Sequence, residues 1–236
     1  MRDSKTVIIS VDMEQDCPPF MNSHRGVEQG TPKLLHLFRD QGIKATFFCT
    51  GRVAQKYPDM IKKIVSAGHE LGCHGNTHRV FSQLSRAEAH EEIKTSALIL
   101  RSFTDVISFR APNLSFPEHF LPILSGHGFT IDSSLALYKP AFFNRTPKSL
   151  LRRIPVSVTS SVLRLPGWIK YPYLSIFSSP VVLFVHPWEF VDLRKENLRY
   201  DCRFNTGDIA LACLEEVIRH FKKQYAEFKI IKDCLE

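Results

Sequence analysis

Apolar and polar positions along this chain follow two rhythms. Short β-branched or aromatic runs read as buried strands: TVIISVD (6–12), KATFFCT (44–50), HELGCH (69–74), DVISFR (105–110), FTIDSS (129–134) and PVVLFVH (180–186). Between them lie stretches with helix punctuation. Thr31 and Pro32 predict a helix start, with Thr31 as N-cap and Pro32 at the first helical position; it runs to about Gln41 and stops at Gly42. Residues 51–67 predict the next helix, stopped by Gly68. Ser85 and Glu88 match a capping box for a helix to about Phe103, and Ser115 with Glu118 predicts another capped helix ending near Gly128. A long, poorly periodic stretch follows, with one expected strand at 154–159. Thr206 then opens a final helix to about Tyr225, and FKIIK (228–232) closes the chain.

Strands alternating with helices imply a parallel sheet with helices outside it. About seven or eight such units fit an α/β fold of one kind, a distorted parallel (β/α) barrel with about seven strands. A barrel of 236 residues is commonly a single domain, here residues 1–236.

Charge narrows the partners only a little. Lys and Arg number 31 against 24 acidic residues, a net +7, which suits anionic partners. The basic residues are scattered in short pairs such as Arg152-Arg153, so no nucleic-acid partner is expected. None of the six cysteines forms a CxxC pair, which argues against a structural zinc knuckle. The start turns directly into a strand-like run, so the reading expects no signal peptide and a reduced, cytoplasmic protein. No apolar stretch predicts a transmembrane segment, because Pro172 and Pro180 interrupt the run from Tyr171 to Val185. The oligomeric state is not legible.

In barrels the chemistry sits at the C-terminal ends of the strands. Here those ends carry Asp12, Glu14 and Asp16; His74 and His78; Arg110 and Asn113; Asp132; and His186-Pro187-Trp188-Glu189. Asp12 and Glu14, two apart on a strand, share a face and repel unless a cation or a shared proton relieves them; the plain alternative is a pair of solvated loop carboxylates. His74 and His78, four apart, could supply the cation. One carboxylate with two histidines is a recognisable catalytic metal pattern. Asp16 competes with Glu14 if the strand continues, which Pro18-Pro19 argues against. Glu189 reads as a structural ion pair, Trp188 as packing before a sugar platform, and Cys73 as core. Cys17 and Cys49 are candidates for a redox or ligand role, and His24 and Arg25 for substrate contact.

The motifs in their order resemble the polysaccharide deacetylase superfamily, carbohydrate esterase family four. SVDME (10–14) resembles its TFDDG motif, HGNTH (74–78) its HSxxH motif, and RAPN (110–113) its RxPY motif. Asp132 to Leu135 resembles DxxW, and FVH (184–186) resembles LxH. The resemblance implies Asp12 as catalytic base, Glu14, His74 and His78 as ligands of a divalent metal (zinc first), and Arg110 as the residue keeping Asp12 ionised. It implies His186 as general acid with Asp132 as its partner. Met13 stands where the family's metal aspartate usually follows, and Glu14 shares Asp12's face. Asn113 replaces the usual tyrosine, whose main-chain N–H helps hold the oxyanion, and Leu135 replaces the usual tryptophan; Asn113 and Trp188 are the substrate-contact candidates.

The implied activity is metal-dependent removal of an acetyl or formyl group from an amino sugar, with a soluble oligosaccharide, peptidoglycan or a sugar on a lipid phosphate carrier as candidate substrates; the +7 charge suits a nucleotide- or lipid-phosphate-linked amino sugar. The alternatives are a metal-independent, allantoinase-like hydrolase of cyclic amides or ureides, and a catalytically silent carbohydrate-binding barrel.

Overall fold

The computed structural model describes residues 4–140 and 151–235. The strands are β1 (Thr6–Met13), β2 (Thr46–Cys49), β3 (Glu70–Cys73), β4 (Ser108–Phe109), β5 (Ile131–Asp132), β6 (Arg152–Arg153), β7 (Val181–Val185) and β8 (Glu227–Lys229). Strands β2 to β6 run in the order β6-β5-β4-β3-β2, and β1 pairs with β7 and β8. Parallel strands with helices in the connections make the α/β barrel class that the alternation predicts. By internal contacts the chain divides into two compact units, Met1–Ala45 with Val158–Lys229, and Thr46–Ser157 with Ile230–Glu236.

In the first unit β1 pairs in parallel with β7, from Val7 opposite Val181 to Val11 opposite Val185, and with β8. Both β1 and β7 are buried almost throughout, which is why they read as continuous apolar runs. Helix α1 (Thr31–Asp40) buries Leu34, Leu37 and Phe38. Thr31 is its first residue and not its N-cap, because a π-helical turn at Gly26–Gly30 already carries the chain into it. That turn needs its glycines: a Cβ at Gly26 would stand 2.4 Å from the Trp188 nitrogen, and one at Gly30 would stand 1.9 Å from the Pro187 oxygen. So the backbone after β1 lies directly on the segment after β7.

Helix α6 (Gly167–Ser175) occupies part of the stretch to which the sequence assigned no helix. The short α7 (Tyr200–Arg203) and α8 (Asp208–Lys223) follow β7. The final helix thus starts two residues later than Thr206. Its buried stripe is Ala210, Leu214, Val217, Ile218 and Phe221, at helical spacing. Residues 231–235 form a 3-10 turn, so FKIIK is a strand only at its start.

In the second unit β2, β3, β4, β5 and β6 pair successively in parallel. The helix expected over 51–67 is two, α2 (Gly51–Lys56) and α3 (Pro58–Ser66), because Pro58 cannot continue the first. The Ser85–Glu88 capping box forms as expected and opens α4 (Arg86–Arg101). The one at Ser115 and Glu118 does not: a 3-10 turn at Glu118–Phe120 leads into α5 (Leu121–Gly126) with no side-chain cap. Pro117 holds Phe116 away from helical geometry, and Glu118 instead takes Arg153 Nη1 at 3.2 Å. The strand expected at 154–159 is replaced by the β6 pair and an isolated bridge between Ala136 and Val156.

Candidate active site

Asp12 lies in β1 and Glu14 just past its end, and both are nearly buried. Met13 faces the core, as the two-residue alternation requires. The strand ends there, which removes Asp16 from the competition. Its carboxylate accepts from Ser23 Oγ and Arg25 N at 2.7 Å and from Gly26 N at 2.9 Å, closing the loop after β1. Arg25 in turn pairs with Glu196 at 2.9 Å.

His186 follows β7. Its Nδ1 lies 2.9 Å from Glu189 Oε1, and its Nε2 lies 3.9 Å from Glu14 Oε1. The Trp188 ring stacks on the imidazole, with centroids 4.8 Å apart and planes 19° apart. Glu189 Oε2 takes Arg164 Nε at 3.1 Å, and both side chains are buried. Arg164 also donates to the carbonyls of Asp201 and Phe204 at 2.7 and 2.5 Å, which fixes the α7 segment around it. Burial disfavours the imidazolium, but the Glu189 hydrogen bond and the charges of Glu14, Glu189 and Asp12 outweigh it and push His186 up to about 9.

The expected partnership of His186 with Asp132 is therefore corrected. The Nδ1 position belongs to Glu189, which a turn after the strand brings back three residues later. Asp132 is buried and committed elsewhere: Oδ2 pairs with Arg153 Nε at 2.6 Å, and Oδ1 takes the Ser134 N–H at 3.1 Å and its Oγ at 2.5 Å. Arg152-Arg153 is thus more than an edge cover, since Arg153 neutralises a buried carboxylate.

His74 follows β3 and is buried. Its Nδ1 lies 2.7 Å from the Arg110 carbonyl oxygen, the kind of bond that orients a metal-binding imidazole. Gly75 and His78 have left-handed φ of 74° and 60°. That unusual turn is clamped by Glu92 of α4, whose carboxylate accepts from Asn76 N at 3.0 Å, Thr77 N at 2.9 Å and Thr77 Oγ1 at 2.5 Å. Gly51 N and Arg52 N, at the start of α2, bind the carbonyls of Gly75 and Asn76 at 3.0 Å. Sequence reasoning missed Glu92, which reads as one more acidic residue on a helix.

Arg110, after β4, is fully buried; its guanidinium lies 4.3 Å over the Phe48 ring and donates to Ser133 Oγ at 2.9 Å. Asn113 is exposed and left-handed, φ 57° and ψ 17°, a conformation asparagine tolerates better than most residues. Cys73 is core, 3.1 Å from Ser96 Oγ, as the sequence reading has it; Cys49 is equally buried. Cys17 packs with Trp188, Val191 and Leu193, and Cys202 lies against that cluster.

Glu14, His74 and His78 each offer one ligand atom, and these atoms lie within 4.8 Å of one another. A carboxylate oxygen and two imidazole nitrogens at that spacing are a donor set that fits a divalent transition ion such as zinc and leaves coordination positions for other ligands.

Comparison with known proteins gives the family and the fold. A family profile described as polysaccharide deacetylase matches residues 2–131. A peptidoglycan deacetylase of Helicobacter pylori is 31% identical over 110 residues, 46% of this chain and 38% of that protein. A chitooligosaccharide deacetylase of Bradyrhizobium is 35% identical over 72 residues, 30% of this chain and 33% of that protein. The chain thus spans well under half the length of these curated relatives. Among solved structures, a carbohydrate esterase family 4 pseudoenzyme from Bacillus anthracis superposes with a TM-score of 0.68 at 18% identity, covering 100% of this chain and 67% of that one. A peptidoglycan N-acetylglucosamine deacetylase, Bc1960, solved with a bound hydroxamate, superposes with a TM-score of 0.67 at 18% identity, covering 98% and 88%. These likenesses establish the fold. With the profile matching more than half of its length, the chain belongs to the polysaccharide deacetylase family.

Proposed function

We propose that this chain is a single catalytic domain that hydrolyses an N-acyl group, acetyl or formyl, from an amino sugar. The observation that carries the reading is the convergence of Glu14, His74 and His78 at metal-ligand spacing, with His186 against Glu14 in a buried, charged pairing. Glu14, His74 and His78 would hold a divalent ion, which would supply Lewis acidity toward the acyl carbonyl and water. Asp12 takes the proton of the attacking water. His186, its Nδ1 turned to Glu189, presents Nε2 to protonate the leaving amine; such proton transfer typically contributes about 10²–10⁴-fold. Arg110, by its place in the family motif, is the residue assigned to orient the base. The main-chain N–H of Asn113 takes the oxyanion role of the tyrosine it replaces. Trp188 forms a wall beside the acid, its ring stacked on the His186 imidazole.

The net charge of +7 favours an amino sugar carrying a nucleotide or a lipid phosphate. The six free cysteines favour a reducing compartment.

The test is the purified full chain, loaded with zinc, assayed for acetate and formate release from free, polymeric, nucleotide-linked and lipid-phosphate-linked amino sugars. Release from at least one class is expected, and Asp12→Asn and His186→Ala should abolish it. No release from any class by metal-bound protein overturns the reading. Release that survives chelation, with no metal by elemental analysis, removes the metal from the reading, and ring opening of cyclic amides or ureides without acyl release moves it to the allantoinase-like alternative.

A further inference from the structure

Helix α6 turns Lys170 and Leu174 inward and an apolar stripe outward. Trp168, Ile169, Pro172 and Tyr173, with Ile176 just past the helix end, are exposed and recur at the spacing of one helical face. Trp168 is 79% exposed and Ile176 68%. Scattered exposed apolar side chains need no explanation, whereas a contiguous stripe of them marks a contact surface.

The size and chemistry of the stripe say what covers it. Aromatic side chains bury roughly 150–250 Å² each, so these few residues fall short of the roughly 800 Å² per partner of a stable protein–protein interface. A short helix presenting tryptophan, tyrosine and isoleucine has the composition that settles in the headgroup layer of a bilayer. One flank of the stripe is basic. The Tyr171 ring stacks on His220 with centroids 4.1 Å apart. Burial and then the positive charges of Lys170, Lys223 and Lys5 hold that imidazole below its ordinary value. Lys170 is paired with Glu216 at 3.3 Å, and Lys223 follows His220 by about one turn of α8, on the same side of that helix. Cations next to an interfacial apolar face complement anionic lipid.

We propose that the α6 face docks this protein onto an anionic phospholipid surface, with Trp168, Tyr173 and Ile176 entering the headgroup layer and Lys5 and Lys223 beside the lipid phosphates. The inference goes beyond the proposed hydrolysis and does not depend on it. It places the docking helix one turn after Arg164, the residue that anchors Glu189 and through it His186.

The test is flotation of the full chain with vesicles of phosphatidylcholine alone and of phosphatidylcholine mixed with phosphatidylglycerol. It reads binding without turnover, so its outcome is separate from that of the acyl-release assay. The protein should float with the anionic vesicles and be released by salt. The chain has two tryptophans, and Trp188 is only 6% exposed, so a blue shift of emission on binding reports Trp168. Trp168→Ser combined with Ile176→Ser removes two large apolar side chains and should lower partitioning by at least about tenfold. Both side chains are exposed, and an unchanged melting temperature confirms the variant's fold. No flotation, equal binding to both vesicles, or flotation unaffected by the two substitutions overturns the proposal. So does a concentration-dependent dimer that the substitutions abolish, which assigns the stripe to a second copy of the chain.

Discussion

Glu189 meets His186 twice: Oε1 takes both the main-chain N–H and the ring Nδ1 at 2.9 Å, while Oε2 faces Arg164. One carboxylate thus fixes the tautomer and the orientation of the imidazole, and is itself held by a buried cation. A hydrogen bond of this kind to an ionised partner is stronger than a neutral one.

The charge of His186 follows from that pairing. Its value of about 9 lies above the ordinary 6.5, so the pair contributes fully to stability below pH 6.5 and the contribution is lost as pH rises through about 9. Replacing Glu189 with glutamine removes the hydrogen-bonded charge while burial continues to disfavour the imidazolium. The ring of His186, followed by NMR in metal-free Glu189→Gln protein, should therefore titrate well below the wild-type value. An unchanged titration would show that Glu189 does not set it. The same variant leaves Arg164 buried without its anion, which typically costs about 3–5 kcal/mol, and Arg164→Met in the same chain should recover part of that loss.

A second titration separates two thiols in one cluster. The hydrogen bond from Cys17 lowers Cys202 to about 7, against the opposing effect of burial. The same contact, with burial, drives Cys17 far above the thiol range. Cys202 should react with iodoacetamide at half its limiting rate near pH 7, and Cys17 should stay unmodified in the folded protein. Cys17→Ala should move the midpoint for Cys202 upward. Mass spectrometry of digested protein after timed alkylation reads both residues, and equal labelling of the two would contradict this account.

The parts of the site that were legible in the sequence are those set by local spacing. Asp12 and Glu14 share a face because strand side chains alternate, and the two histidines of HGNTH sit in one tight turn. The buried strands β1 and β7 announce themselves because both faces are covered. What was not legible is set by backbone paths. Nothing in the spacing says that the chain after His186 turns at once and returns Glu189 to Nδ1, so the carboxylate at a strand end, Asp132, was the natural partner to expect. The same holds for Glu92, which clamps a loop distant in sequence, and for Thr31, whose capping role disappears because Gly26 and Gly30 let the chain enter the helix early. Fold membership does not decide activity either: one of the superposing structures is a pseudoenzyme, and another is its mutant with restored activity.

Asp132 provides a test of the corrected assignment. As a partner of Arg153 and Ser134 it is structural, so Asp132→Asn should destabilise the protein, by less than the roughly 3–5 kcal/mol of a fully orphaned buried charge, because Glu118 still takes Arg153 Nη1. Denaturant unfolding reads that loss. The titration of His186 should not move in the folded variant. A downward shift comparable to that of Glu189→Gln would return Asp132 to the role first expected of it.

The proposed metal site makes the most demanding prediction, because it separates ligands from the residue that shapes their loop. Alanine at Glu14, His74 or His78 removes a donor, and zinc binding measured by calorimetry should be lost in each case. Glu92 donates nothing to the ion. It holds two amides and a hydroxyl of the turn between the histidines, and glutamine can replace only part of that acceptor capacity. Loss of such outer support typically lowers metal affinity about 10–100-fold, so Glu92→Gln should still bind zinc, more weakly. Thermal unfolding gives an independent reading. A ion that binds only the folded state raises the melting temperature as its concentration exceeds the dissociation constant. Wild-type protein should therefore gain most from added zinc, Glu92→Gln less, and the ligand variants nothing. Undiminished affinity in any ligand variant would remove that residue from the site, and wild-type affinity in Glu92→Gln would show that the turn holds its shape without the clamp.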